Sequence, residues 1–480
     1  MMGAFPWGMR KEPLLLVRCC ALLVLGVAPR AMADTTPPRD HASSATAPSG
    51  LPTMTLGEAL AFARQHQPSL RAAQARIAVA KQAAWSVRAE WLPQLGATAQ
   101  LFYGTMNNST AMFQGVRTTD LPRIGGSRSG TQWGDAYPSS LVGLGLRQHV
   151  YDFGRLAALA VAADSEVGVA RYRAAQESLE VALQVESLFY AVLAAKAVER
   201  VADDAYARAA LRREMVKVSV ERGLRPPIDL TRAEADLTRF DVGRMRARGS
   251  TEAGQALFAA AVGWSEPLLD AAGAVDAGAP LKPFGEALEH ALTHDPGVRA
   301  ALARLESQHA LTKATTLQWA PSVALTAGVS GRAGGAPQSS GPSGQSGWLP
   351  TVPNWDIGLV LQTTLFDGVL LARRSQSQAM EEVLRQEVDV TKRRLLSEIQ
   401  RAYTGFRIAE TAVPALEAAA LAAQKNYEQA SARFKAGLST SVELADAEAL
   451  RTDSEIQLAV GRFEIARARA HWNRSIAQGL

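Results

Sequence analysis

Residues 355–365 read WDIGLVLQTTL, a segment that alternates like an extended strand with two unlike faces. Trp355, Ile357, Leu359, Leu361 and Leu365 fall on one side; Asp356, Gly358, Gln362 and Thr364 fall on the other. Three further segments repeat the pattern. Val323, Leu325, Ala327 and Val329 oppose Ser322, Thr326 and Gly328; Leu95, Ala97, Ala99 and Leu101 oppose Gly96, Thr98 and Gln100; Val142, Leu144 and Leu146 oppose Gly143, Gly145 and Arg147. A strand of a water-soluble sandwich can carry such a pattern, but lipid outside and water inside demand it. Phe102, Tyr103, Trp133, Tyr137, Trp348 and Trp355 cluster at the strand–loop borders, where an interfacial aromatic belt is expected.

The four segments fall in two pairs because the chain is duplicated. Gly57-Glu58-Ala59-Leu60 recurs as Gly285-Glu286-Ala287-Leu288, and Pro68, Arg71, Trp91 and Pro93 match Pro296, Arg299, Trp319 and Pro321 at the same offset. Gly223-Leu224 matches Gly437-Leu438, and Ala233-Glu234-Ala235 matches Ala447-Glu448-Ala449, at a shorter offset. The difference belongs to the glycine- and serine-rich stretch, longer from Gly104 to Ser140 than from Ser330 to Asn354. Insertions collect in exposed loops, so these stretches are expected at equivalent ends of the molecule. Each copy reads as helix, strand, loop, strand, very long helix, tight turn and long helix. The copies span 53–264 and 283–476, with a connector at 265–282. The first helix of each is expected to run unbroken, from about Leu56 to Trp91 and from about Pro283 to Trp319, stopped by the proline two residues on.

The long helices carry their own signal. Met380, Leu384, Val388, Thr391, Leu395 and Ile399 step mostly by four; from Ile399 through Ala402, Phe406, Ala409, Val413, Leu416, Ala420, Ala423, Tyr427, Ala430 and Phe434 the steps alternate three and four. The second half is a heptad seam, the first closer to an eleven-residue repeat, which implies a change of packing mode along one helix. A related seam runs through Val181, Val185, Leu188, Val192, Ala195, Val198, Ala202, Ala205 and Ala209. A helix of about 65 residues at 1.5 Å per residue is about 100 Å long, far beyond a globular core and suited to a periplasm-spanning rod. Pro414 falls inside the seam and is expected to bend it.

The N-terminus sets the compartment. Arg10 and Lys11, the short apolar run from Leu14 to Val27, and Ala31-Met32-Ala33 read as a secretory signal peptide over 1–33. The Pro-, Ser-, Thr- and Ala-rich stretch 34–52 reads as a disordered leader. Cleavage removes Cys19 and Cys20, the only cysteines, and takes +3 of the formal +5 charge, leaving +2. So balanced a chain is no nucleic-acid binder. No metalloprotease, nucleophile-elbow, phosphate-loop or dinucleotide motif occurs, so no enzyme and no cofactor are expected. His290 and His294 have metal-pair spacing but no third ligand, so they read as surface or interface histidines and no metal is expected.

Four strands cannot close a barrel in lipid, where about eight are the minimum and every open edge leaves backbone groups unpaired. Two chains would give eight strands and no open lumen; three give twelve.

These features resemble the TolC family of outer-membrane efflux proteins over about Thr55 to Ser475. The resemblance rests on Leu56-Gly57-Glu58-Ala59-Leu60 with Pro68, on Tyr151-Asp152-Phe153-Gly154-Arg155 and Leu365-Phe366-Asp367-Gly368, and above all on two hairpin tips. These read Arg222-Gly223-Leu224-Arg225-Pro226-Pro227-Ile228-Asp229-Leu230 and Ala436-Gly437-Leu438-Ser439-Thr440-Ser441-Val442-Glu443-Leu444. It implies a mainly α protein with a transmembrane β-barrel: a homotrimer whose twelve-stranded barrel continues as a long periplasmic α-helical barrel. It also implies an outer-membrane exit duct coupled through a periplasmic adaptor (membrane fusion) protein to an inner-membrane pump, exporting small molecules. Tip residues Gly223, Leu224, Arg225, Gly437, Leu438 and Ser439 would meet the adaptor, and Glu443 and Asp446 would form the acidic ring of the periplasmic entrance. An arginine that helps lock the entrance in some relatives aligns with Ser439, while Arg225 holds the equivalent place in the first copy. Export of proteins by a type I system is the close alternative. A structural trimeric coiled-coil surface protein is the alternative of another class, and it predicts heptads without paired strand blocks.

Overall fold

The computed structural model describes residues 51–105, 136–273, 281, 283–334 and 354–477. The signal peptide, residues 34–50 of the leader, connector residues 274–280 and 282, and Trp133 and Trp348 lie outside the described residues, as do the side chains of Phe102, Tyr103 and Tyr137. In chain order the elements are β1 (Thr53–Met54), α1 (Leu56–His66), α2 (Pro68–Ala89), β2 (Gln94–Thr105), β3 (Ala136–Tyr151), α3 (Arg155–Glu221) and α4 (Pro227–Val262). There follow β4 (Asp270–Ala271), α5 (Phe284–His294), α6 (Pro296–Thr316), β5 (Ser322–Gly334), β6 (Asn354–Gln362), α7 (Gly368–Lys435) and α8 (Ser441–Ser475).

Thr55 starts the first copy with a capping box: its hydroxyl accepts from Glu58 N, and the Glu58 carboxylate accepts from Thr55 N at 2.9 Å. The unbroken first helix expected in each copy is not found. Proline disfavours the helical conformation in the residue before it. Gln67 is therefore extended (ψ 121°) and Pro68 opens a second helix; Asp295 (ψ 124°) and Pro296 repeat the break. Asp295 also accepts from Val298 N at 3.0 Å, which caps α6. The bend expected at Pro414 does not interrupt α7, which runs as one helix to Lys435. Pro414 is exposed, so the carbonyl it leaves unpaired sits on the solvent side of the helix. Nearby, a Cβ on Gly461 would collide with the Leu416 side chain, so the glycine lets α8 lie close against α7.

The four long strands form one antiparallel sheet in the order β2-β3-β5-β6. The helices that enter or leave those strands follow the same order: α2 packs on α3, α3 on α6, and α6 on α7. Toward the tips the hairpin helices line up as α4, α3, α8 and α7. Among the described residues two flanks of the array are open: on one, β2 pairs only with β3 and α2 has one long neighbour; on the other, β6 pairs only with β5.

Helix α3 is the centre of this arrangement and buries residues along most of its length, among them Val181, Val185, Val192, Ala202, Ala205 and Ala209 of the predicted seam. By length and composition α3 also contains a window apolar enough to cross a membrane, a feature the sequence reading did not single out. Its packing against α2, α4, α6 and α8 covers about a third of that window. On α7 the buried positions are Leu370, near the sheet, and Leu384, Val388, Leu395, Ile399, Phe406, Ala420, Ala423, Ala430 and Phe434, which all belong to the predicted seam. Two cores brace the middle of the array: Val185, Phe189, Phe258 and Val262 in one, and Leu395, Ile399, Trp472 and Ile476 in the other.

The sheet is inverted relative to a water-soluble one. Leu95, Leu146, Ala327 and Ile357 form one cross-strand row and Ala97, Leu144, Val329 and Trp355 the next. Leu95 (75% exposed), Leu359 (71%) and Trp355 (74%) lie bare, whereas Gly143, Gly145 and Ser330 on the opposite face are covered. In water that distribution would be strongly unfavourable; against lipid it is the stable one.

Candidate functional site

The end of the helices remote from the sheet is built twice by the same local chemistry. α3 ends when Gly223 turns left-handed (φ +69°), letting Leu224 N donate to Ser219 O at 2.9 Å. α7 ends identically at Gly437 (φ +75°), with Leu438 N on Arg433 O at 2.9 Å. Both are glycine-terminated helix ends of the Schellman type, and glycine is needed because a side chain would be strained there. Each leaves one leucine projecting: Leu224 is 74% exposed and Leu438 72%. Pro226 and Pro227 then start α4; Thr440 caps α8 by accepting from Glu443 N at 3.3 Å.

The two tips are fastened to each other. Arg225 stacks on the Phe434 ring at 3.8 Å, donates to the Phe434 carbonyl at 3.2 Å and lies 3.6 Å from Asp229. Ser441 donates to Asp229 at 2.7 Å. Phe434, Leu444, Ala447, Val216, Ala233 and Ala430 form the small core above this contact. The buried hydroxyl of Ser439 has no hydrogen-bond partner among the described residues; Arg225 on the first tip makes the cross-hairpin contact. Glu443 and Asp446 lie one turn apart and both are exposed, Glu443 with Arg433 at 3.7 Å. The tip residues Gly223, Leu224, Arg225, Gly437, Leu438 and Ser439 are thus brought together at one end, with Glu443 and Asp446 beside them.

Sequence reasoning missed a second fastening about two turns along α8. Glu448, 2% exposed, accepts from Arg208 Nε at 2.6 Å, while Arg208 also lies 3.5 Å from Glu455. Arg212 donates to Asp236 at 2.6 Å. Burial, then the neighbouring Glu448 carboxylate, pushes the Tyr427 hydroxyl above its ordinary pKa. A signal was available: Glu448 stands one turn after buried Leu444, so it is a charge on an apolar seam. Its partner in the first copy, Glu234, is half exposed and paired with Arg213 at 3.4 Å.

His290 and His294 stack at 4.4 Å, with Nδ1 of each near a backbone carbonyl: Ile476 O at 3.2 Å and His290 O at 3.0 Å. Those nitrogens are engaged with the backbone rather than aimed at a common point. Among the described residues no group of three or more potential metal ligands occurs.

The family profile described as Outer membrane efflux protein matches residues 60–263 and 287–474, one segment in each copy. The chain belongs to the outer membrane efflux protein family. Members of the family act at the outer membrane, and the helices of this efflux protein accordingly extend into the periplasm. Its fold is that of solved channels. It is similar to the outer-membrane channel OprN (TM-score 0.71, 19% identity, covering 88% of this chain and 90% of that one). It is likewise similar to the Campylobacter jejuni CmeC outer membrane channel (0.73, 15%, 88% and 86%). The Vibrio cholerae outer membrane protein VceC is a third such structure (0.69, 19%, 88% and 96%). A search among curated proteins finds no match. The solved neighbours are channels and not enzymes, in keeping with a transport role for this efflux protein.

Proposed function

We propose that three copies of the chain assemble into a passive duct that receives small molecules from an inner-membrane pump through a periplasmic adaptor protein. One observation carries the reading: an inverted sheet whose two outer strands, among the described residues, are each paired on one side alone. The strands alternate in direction from β2 to β6, so β6 of one copy and β2 of the next run antiparallel and continue the pattern. Three copies supply twelve strands and abolish every edge. The flanking helices support the same contact. Val383, Val390 and Ile408 on α7 and Val79 and Trp85 on α2 are exposed although large and apolar, as residues reserved for a neighbouring subunit are.

At the tips, Leu224 and Leu438 with Gly223, Arg225, Gly437 and Ser439 offer two equivalent apolar knobs per subunit, six in a trimer, to a helical adaptor. Glu443 and Asp446 would bring six carboxylates near the axis, a charge density that attracts multivalent cations. The copies at 53–264 and 283–476 then act as two near-equivalent staves of one wall.

Native mass measurement of the detergent-extracted protein should give three chains; a stable monomer contradicts the barrel. In planar bilayers, changing both Glu443→Gln and Asp446→Asn should weaken block by a trivalent cation such as hexaamminecobalt. Unchanged block removes both residues from the entrance.

A further inference from the structure

The water-facing side of the sheet holds few charges, and their placement is unusual. Gly96, Gly145, Gly328 and Asp356 form one cross-strand row, so Asp356 stands beside three positions without side chains. Its Oδ1 is covered yet has no hydrogen-bond partner among the described residues, and neither has the hydroxyl of Ser330, itself 2% exposed, in the adjacent row Thr98-Gly143-Ser330-Asn354. One row toward the helices, Gln94, Arg147, Thr326 and Gly358 align. Arg147 has no ion-pair partner among the described residues. His149, two residues beyond Arg147 on β3, lies 3.4 Å from Asp152. Arg332 takes the register position opposite Leu141, four residues beyond Gly328.

We propose that Asp356 and Arg147 set the ion selectivity of the duct from inside its membrane barrel, independently of the acidic entrance. The inference rests on the trimeric reading, which turns the two residues into two stacked rings of opposite charge. Adjacent same-face rows of a strand are about 7 Å apart, so the rings are separate tiers and not salt-bridged neighbours. Twelve strands spaced about 4.8 Å and tilted about 40° enclose a radius of about 12 Å. Side chains reaching inward therefore lie within about one Debye length of the axis at 0.1 M salt, so permeating ions feel them. The glycines deepen the effect. The row of Asp356 offers no side chain to pair with it, and among the described residues no donor meets Asp356 Oδ1; an unneutralised carboxylate ring favours cations. Toward the periplasm Arg147 opposes it. The chemical class selected is thus a charged small solute, with the Asp356 tier retarding anions and the Arg147 tier retarding cations.

Reversal potentials of the full-length protein in planar bilayers, under a tenfold potassium chloride gradient centred near 0.1 M, test the assignment. Asp356→Asn should lower the potassium-to-chloride permeability ratio by about twofold, and Arg147→Gln should raise it by a similar factor. Gly358→Asp, whose added Cβ would make only ordinary 3.7 Å contact with Thr326, should also raise it by placing a carboxylate in the Arg147 row. At 1 M salt, where the Debye length falls to about 3 Å, the differences should largely vanish. Conducting channels whose ratio is the same in all three variants overturn the inference and leave the trimer intact. Monomeric, non-conducting protein overturns the barrel itself, and with it any luminal role for either residue.

Discussion

The sheet and the helical wall are made from one chain and obey opposite rules. Along the helical seams the large apolar side chains are hidden: Ile399 is fully buried and Phe406 is 3% exposed. In the sheet Leu95, Leu359 and Trp355 are bare, while glycine, serine and threonine occupy the covered face. The same hydrophobic effect produces both arrangements, because what counts is transfer out of water and not transfer into protein. The reversal therefore marks where the solvent changes, near Gln362 to Gly368 in the second copy and Tyr151 to Arg155 in the first. Leu365 and Phe366, at 90% and 80% exposure, sit on that boundary.

Four measurements bear on this contrast, in order of expected size. Phe406→Ala empties a packed seam position and should cost about 3–5 kcal/mol, read by denaturant unfolding of the helical signal; a silent variant would mean the seam is not a core. Leu359→Arg should cost about 2–4 kcal/mol when the protein is folded into bilayers, if that position lies near the bilayer midplane. A sheet facing water would accept the same change within about 0.5 kcal/mol, so a null result in lipid breaks the contrast outright. Gly437→Ala forces a side chain into the left-handed region and should cost about 1–2 kcal/mol, without altering the sheet. Smallest is a pH effect at the first helix. The Glu58 carboxyl is held below its ordinary pKa, first by the Thr55 backbone N–H and then by the Thr55 hydroxyl. Its contribution is therefore present above the unfolded-state carboxylate pKa and is lost as pH falls through the lower folded value. Thermal melts of Glu58→Gln and the native protein should converge in acid and separate modestly near neutrality; a constant gap would sink the assignment.

Several of these features were legible before any coordinates. The strand alternation, the α7 seam from Leu384 to Phe434 and the glycines at 223 and 437 are local patterns, and local sterics and periodicity suffice to place them. The break at Pro68 follows from a local rule as well, since proline disfavours a helical residue before it and suits the first turn of a new helix. Glu448 shows where local reading stops. Its burial depends on Arg208, 240 residues away, and nothing in the Ala447-Glu448-Ala449 triplet distinguishes it from exposed Glu234 in the matching Ala233-Glu234-Ala235.

The amino-acid order fixed which faces are apolar, how long each helix runs and how each tip turns, since these follow from spacing within a few residues. The folded chain settled who stands next to whom: strand order β2-β3-β5-β6, helix order α2-α3-α6-α7, Arg225 on Phe434, and Asp356 in a row of glycines. Adjacency of that kind is chosen by burial and pairing summed over the whole array. No single segment contains that sum, and so no single segment could disclose it.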